Sequence, residues 1–170
     1  MKKILLLFLV SVLTVCAGTG DAIVAAAKKQ IGVTLSYDPA YATLAYPGGD
    51  VPREWGVCTD VVIRALRDGM DADLQKLVHE DMAGNFPKYP GIWGLKRPDR
   101  NIDHRRVPNL IVFFKRQHQS LPVSDPIHKM TFRPGDLVTC TVPPRLAHIM
   151  IISDRKNAKG LGLTPFSGQF

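Results

Sequence analysis

The sequence predicts an α+β fold in which helices come first along the chain and a small antiparallel sheet follows. Apolar residues recur at helical spacing in several segments before residue 120, whereas the segments around residues 137 and 149 alternate in the manner of strands. A chain that separates its helices from its strands in this way is typical of the α+β class.

The first 17 residues have the organisation of a secretory signal peptide. Lys2 and Lys3 precede an apolar run from residue 4 to residue 15, and Ala17 offers a small residue for cleavage. The run is shorter than the roughly 20 residues of a membrane-spanning helix. We therefore expect a signal peptide at 1–17, one domain at 18–170, a periplasmic or secreted location and no stable membrane span. Lipid attachment at Cys16 is the alternative.

Two helices are predicted in the first half of the chain. The first follows Asp21, an acidic cap, and stops at Gly32. A segment rich in proline, glycine and tyrosine follows, and it predicts a structured loop or short strands. The second helix begins at Cys58 and stops at Gly69, and its many apolar residues predict a central, buried position.

Two further helices and a long loop complete the helical part. Asp71 or Asp73 can cap a helix over 74–82, and Pro108 stands in the first turn of a helix that continues to about residue 118. Residues 85–109 lie between them and are rich in proline, glycine and charge. Long loops of this kind in compact domains often carry function.

The sheet begins at a Pro-Gly turn before Asp136. Val138, Cys140 and Val142 share one face of the first strand, so Cys140 is expected to be a buried small residue. The second strand begins near His148 after a Pro-Pro turn. Strands joined by so short a turn pair in antiparallel fashion.

The composition limits the classes of partner. The chain carries a formal net charge of +7, but the basic residues are scattered, which favours an anionic envelope polymer over nucleic acid. The five histidines show no metal-ligand spacing and there is no Cys-x-x-Cys, so neither a metal nor another cofactor is expected.

Cys58 is the strongest candidate for a chemical role. A helix N-terminus stabilises a thiolate, and a cysteine nucleophile needs a histidine that the fold brings from a distant part of the chain. His148, at the start of a strand, suits that role best, although a histidine there can also simply cap a turn. A Cys58–Cys140 disulfide and an ordinary core cysteine are the alternatives.

Three motifs then resemble the NlpC/P60 cysteine peptidases: "YPGG" from Tyr46 with "CTDVV" from Cys58, "RPGDLV" from Arg133, and "HIMII" from His148. The wording of "GVCTDVVIRALR", "LQKLVHEDM" and "PDRNIDHRRVPNL" more closely resembles the DUF1287 family over residues 21–155. The resemblance implies a papain-like core in which Cys58 attacks an amide, His148 carries the proton and Tyr46 adds a polar contact.

This resemblance makes the expected function a secreted, monomeric cysteine hydrolase of peptidoglycan peptides. His104, Arg105 and Arg106 are the expected substrate-binding residues, because guanidinium groups pair with carboxylates; a solvated basic loop is the alternative. The tail after residue 157 lacks the third polar residue that the family pattern leads us to expect. A non-catalytic envelope-binding module, or an inactive member with a truncated sheet, therefore remains open.

Overall fold

The described residues form helices, a short parallel strand pair and an antiparallel two-stranded hairpin that packs against the central helix. The computed structural model describes residues 15–121 and 132–156. Within these ranges the helices are α1 (Val15–Lys28), α2 (Cys58–Met70), α3 (Leu74–Asn85) and α4 (Val107–Arg116). The strands are β1 (Ser36–Tyr37), β2 (Trp55–Gly56), β3 (Leu137–Val142) and β4 (Leu146–Ile151). The mixed α+β class expected from the sequence is confirmed.

The helix α2 forms the centre of the core, as its apolar sequence predicts. Val62 and Ala65 are fully buried, and Ile63 is 2% exposed. These residues pack in one cluster with side chains of α1, α3, α4 and β4, including Ile149 and Ile151. Burying this apolar surface is the main stabilising contribution to the position of α2.

The ends of α2 differ from the sequence prediction at one side only. The helix begins at Cys58, as expected, but it passes Gly69 and ends at Met70, and Asp71 then adopts a left-handed conformation with φ 56°. Gly69 serves instead as a packing site, because a Cβ placed there would lie 2.7 Å from the carbonyl oxygen of Ala22 in α1. The first helix likewise begins at Val15, before the predicted cap at Asp21.

The remaining helix starts agree with the sequence. The Asp73 carboxylate accepts a hydrogen bond from the Gln75 backbone N–H at 3.1 Å, so Asp73 rather than Asp71 caps α3. Pro108 lies in the first turn of α4. The long loop between α3 and α4 contains two 3₁₀ turns, Phe86–Lys88 and Asp103–Arg105.

The hairpin β3–β4 is antiparallel, with Thr139 opposite Ile149 and Cys140 opposite His148. Ile149 and Ile151 face the core, so by strand alternation His148 belongs to the other face, together with its cross-strand neighbour Cys140. Cys140 is exposed, and the prediction that it is buried is wrong. Val138 and Val142, the apolar residues on the same face as Cys140, therefore lie on the outer face of the hairpin and not on the face that packs on α2.

Candidate functional site

Cys58 is the first residue of α2 and its thiol is free and half-buried. The backbone just before it is fixed by Asp60, whose carboxylate accepts a hydrogen bond from the Val57 N–H at 2.7 Å. The first N–H groups of a helix have no partners within the helix and carry partial positive charge. The sulfur is therefore held where negative charge is favoured.

A buried ion pair anchors this helix start to the long loop. Arg105 donates two hydrogen bonds to the Asp60 carboxylate, at 2.8 and 2.9 Å, and the two side chains are only 2% and 3% exposed. Thr59 Oγ1 also donates to the Arg105 carbonyl at 3.0 Å. The 3₁₀ turn that carries Arg105 is thus pinned to the residue that follows Cys58.

The Arg105 guanidinium also fixes the segment after β1, which lies beside the Cys58 thiol. Arg105 donates to the carbonyl oxygens of Asp38 and Ala40, at 3.3 and 3.1 Å. The preceding residue, Tyr37, lies close enough to Cys58 that the pKa of its phenol is raised, first by burial and then by the charge of the thiolate. Arg105 therefore connects the start of α2, the long loop and the segment that follows Tyr37.

These elements enclose an open cleft of about 400 Å³ at Cys58. Its walls come from the β1 loop, the start of α2, the long loop, the start of α4 and β4. The lining residues with chemical or aromatic groups are Tyr37, Tyr41, Cys58, Arg105 and Arg106. A cleft of this volume admits a peptide-sized group.

The pKa of the Cys58 thiol is set by two opposing effects. Burial raises it above the ordinary value, and the charge of Asp60 adds to that rise. Backbone N–H groups of Ile149, Thr59 and Cys58 itself lower it. Burial prevails, so the thiol is protonated at neutral pH unless a base is brought to it.

His148 is close to the thiol through its backbone but not through its imidazole. The sulfur lies near enough to the backbone N–H of Ile149 for that group to lower the thiol pKa, and Ile149 is joined to His148 by one peptide bond. Burial alone lowers the pKa of His148, with no contribution from Cys58. Within the part of the chain that the structure describes, no hydrogen bond joins the two side chains.

Tyr46 lies away from Cys58, on the α3 side of the molecule. Its ring packs edge-on against His79 with centroids 5.2 Å apart, and the Arg100 guanidinium lies 5.8 Å from its centre. The tyrosine that the structure brings to Cys58 is Tyr37, which the sequence analysis did not single out. Its position just before Asp38-Pro39, at the end of a two-residue strand, gave only a weak signal.

The three expected substrate-binding residues have different environments. His104 is 2% exposed, and burial lowers its pKa to about 4. The N–H donors of Arg105 bond Asp60 and backbone carbonyls. His104 and Arg105 therefore both belong to the scaffold of the cleft. Arg106 lines the cleft, bonds Asp103 at 3.2 Å and stacks on Trp93 at 4.1 Å, and its other N–H donors have no hydrogen-bond partner in the part of the chain that the structure describes.

Among residues 15–121 and 132–156, no group of three or more His, Cys, Asp and Glu side chains is arranged to hold a metal ion. In the same residues, no helix is both long and apolar enough to cross a membrane.

Comparison with known proteins places the chain in one family. The family described as "Domain of unknown function (DUF1287)" matches residues 24–164. "Uncharacterized protein YijF" of Escherichia coli (strain K12) is 56% identical over 144 residues, which cover 85% of this chain and 69% of that protein. No solved structure matches the chain. The chain belongs to the DUF1287 family.

Proposed function

We propose that this protein is an exported cysteine hydrolase that cleaves amide bonds in the peptides of the cell wall, with Cys58 as the nucleophile. The observation that carries the proposal is the position of the free thiol. It lies at the start of a buried helix, opens on a cleft of about 400 Å³ and is near enough to the Ile149 backbone N–H for that group to lower the thiol pKa. These features supply the position of a nucleophile, and in the proposal His148 supplies the base that a nucleophilic thiol also needs.

In the proposed reaction Cys58 Sγ attacks the amide carbonyl carbon. His148 takes the thiol proton as the S–C bond forms, and it gives that proton to the leaving amine as the C–N bond breaks. The carbonyl oxygen gains negative charge in the intermediate, and the backbone N–H groups at the start of α2 stabilise it. Water then attacks the thioester, which releases the acid and restores the thiol.

For this step the imidazole of His148 turns around the edge of β4. Its Cα is one peptide bond from the Ile149 N–H that lies near the sulfur, but its Cβ points to the opposite face of the hairpin, so the ring reaches Cys58 only if the β4 backbone turns together with the side chain. Pairing with the imidazolium would then offset the effect of burial on the thiol pKa. Tyr37 is the tyrosine placed to contact the substrate in the cleft, and Tyr46 would support the loop behind it.

The choice of substrate follows from charge and export. The full chain has a formal net charge of +7, and without Lys2 and Lys3 of the proposed signal peptide the charge is 20 − 15 = +5. Arg106 also lines the cleft, so carboxylate-bearing wall peptides are suitable ligands. The proposed signal peptide, 1–17, would deliver the protein to the periplasm or the exterior; most of it lies outside the described residues. The proposed fold of the single domain at 18–170 is a papain-like NlpC/P60 core, and we propose that it acts as a monomer.

A second candidate function is a non-catalytic module that binds envelope polymers through the same cleft. Two observations favour it: the raised pKa of the Cys58 thiol, and the position of His148 on the hairpin face opposite Ile149. In such a module Cys58 would be a packing residue of the cleft wall. The expected truncation of the sheet concerns residues 157–170, which lie outside the described residues.

Mass spectrometry of peptidoglycan fragments incubated with the protein distinguishes the two functions. The hydrolase proposal expects new fragments shifted by the mass of one water, their loss with Cys58→Ser, and their persistence with Cys140→Ser, a control at the exposed thiol. Binding without turnover in all three forms would establish the module instead. Equal turnover by the wild type and Cys58→Ser would refute Cys58 as the nucleophile.

A further inference from the structure

A second cavity lies on the other side of Arg106 from the Cys58 cleft. It has a volume of about 250 Å³ and its walls are mostly apolar and aromatic side chains, including Phe86, Tyr89 and Trp93. Arg106 lines both cavities, so the two are neighbours. The volume is below the range of drug-sized sites and suits one small chemical group.

One wall of this cavity contains a buried acceptor without a partner. Asn109 is fully buried, and its Nδ2 donates to the Asp103 carbonyl at 3.1 Å. That bond fixes the orientation of the amide, because a flip would place oxygen against oxygen. Within the described residues Asn109 Oδ1 has no hydrogen-bond partner. A buried acceptor left in this state is destabilising, so a ligand that donates an N–H or O–H is favoured.

Arg106, which also lines this cavity, provides hydrogen-bond donors. Its guanidinium stacks on Trp93 at 4.1 Å, and among the described residues its one hydrogen bond, at 3.2 Å, goes to the Asp103 carboxylate. Stacking and the ion pair fix the plane of the group, and the remaining N–H donors are available to a ligand acceptor. Asp103 already balances the charge of Arg106, so the acceptor in this cavity needs no charge of its own.

We propose that this cavity is a binding site for an uncharged secondary amide. The amide N–H donates to Asn109 Oδ1, its carbonyl accepts from Arg106, and the attached methyl or methine packs against Phe86 and Trp93. Such an amide occurs both in a peptide backbone and in the acetamido group of an amino sugar. The chemistry of the site is independent of hydrolysis, and only the cell-wall origin of the amide rests on the proposed function.

Tryptophan fluorescence of the full chain tests the site. The sequence has two tryptophans, so Trp55→Phe, a change in an exposed residue, leaves Trp93 in the cavity wall as the sole reporter. The protein is titrated with N-acetylglucosamine and with N-acetylalanine methylamide, and with glucose and methyl acetate as controls without an amide N–H. We expect saturable changes with at least one amide, at least fivefold tighter than with either control, and the tighter amide identifies the source.

Variants of the cavity complete the test. Asn109→Leu should weaken amide binding at least fivefold, whereas Arg97→Gln, an exposed charge of the same loop, should leave it unchanged. If Asn109→Leu does not fold, Gly91→Leu replaces it, since Gly91 lines the cavity and a Cβ there meets no atom within 4 Å. Gly84→Leu is its matched control, with the same free space outside the cavity. Amides that bind no more tightly than the controls would refute the proposed amide site. Variants that bind the amides like the parent would show that the amides bind outside this cavity.

Discussion

Replacing Arg105 by methionine is expected to destabilise the protein strongly, because the change leaves the Asp60 carboxylate buried without its partner. The two side chains are 2% and 3% exposed and share two hydrogen bonds of 2.8 and 2.9 Å. Removing one member of a buried pair costs about 3–5 kcal/mol. The methionine keeps much of the apolar volume of the arginine, so most of the loss reflects the unpaired charge.

Urea unfolding followed by circular dichroism measures this loss. With a slope of about 2 kcal/mol per molar urea, a loss of 3–5 kcal/mol lowers the midpoint by roughly 1.5–2.5 M. Arg53→Met is the matched control, because Arg53 bonds Asp68 in the same two-pronged way but the pair is 48% and 30% exposed. Exposed pairs contribute at most about 1 kcal/mol. Equal shifts for the two variants would refute the scaffold role of Arg105.

The double variant Asp60→Asn with Arg105→Met separates the charge from the packing. Removing both charges should recover a part of the stability lost in Arg105→Met, since no unpaired carboxylate remains buried. Additive losses, with no recovery, would mean that Asp60 and Arg105 do not act as a pair. The Arg105→Met variant should also slow alkylation of Cys58, because an unbalanced Asp60 charge opposes formation of the thiolate.

Two further predictions concern the buried side chain of His104 and the close packing of Gly69 against α1. Burial lowers the pKa of His104 to about 4, below the value of about 6.5 in the unfolded chain. The unfolded state therefore binds more protons, and stability is full above about pH 6.5 and falls as the pH drops from there to about 4. His104→Gln should flatten this fall in urea midpoints, whereas His118→Asn, at an exposed residue, should not; an unchanged slope in His104→Gln would contradict the assignment. Gly69→Ala should destabilise by about 1–3 kcal/mol in the same assay, because its Cβ would lie 2.7 Å from the Ala22 carbonyl oxygen. Gly84→Ala, in an exposed helical position with free space, should stabilise by up to about 1 kcal/mol, and a neutral Gly69→Ala would show that α1 and α2 approach less closely.

The helices and the hairpin could be predicted from the sequence because their signals are local. Apolar periodicity, the Asp73 cap and Pro108 in a first turn depend only on neighbouring residues. The end of α2 was placed wrongly because Gly69 looks like a stop signal. Its true role, close packing against α1, depends on a residue far away in the chain.

The site was predicted less completely, for the same physical reason. Cys58 at a helix start follows from local sequence, but the pairing of Arg105 with Asp60 joins residues 45 positions apart. Loop arginines usually face solvent, so sequence alone suggested either a substrate contact or a solvated basic loop for Arg105, and not a buried ion pair. Likewise, only the three-dimensional fold shows that Tyr37, rather than Tyr46, lies beside the thiol.

The most direct test of the central claim is the rate at which iodoacetamide alkylates Cys58 at pH 7, compared with the exposed Cys140 of the same molecule. If His148 turns to share the thiol proton, Cys58 reacts at least tenfold faster than Cys140, and His148→Ala removes the difference. A Cys58 that reacts more slowly than Cys140, at a rate unchanged by His148→Ala, would contradict the hydrolase proposal.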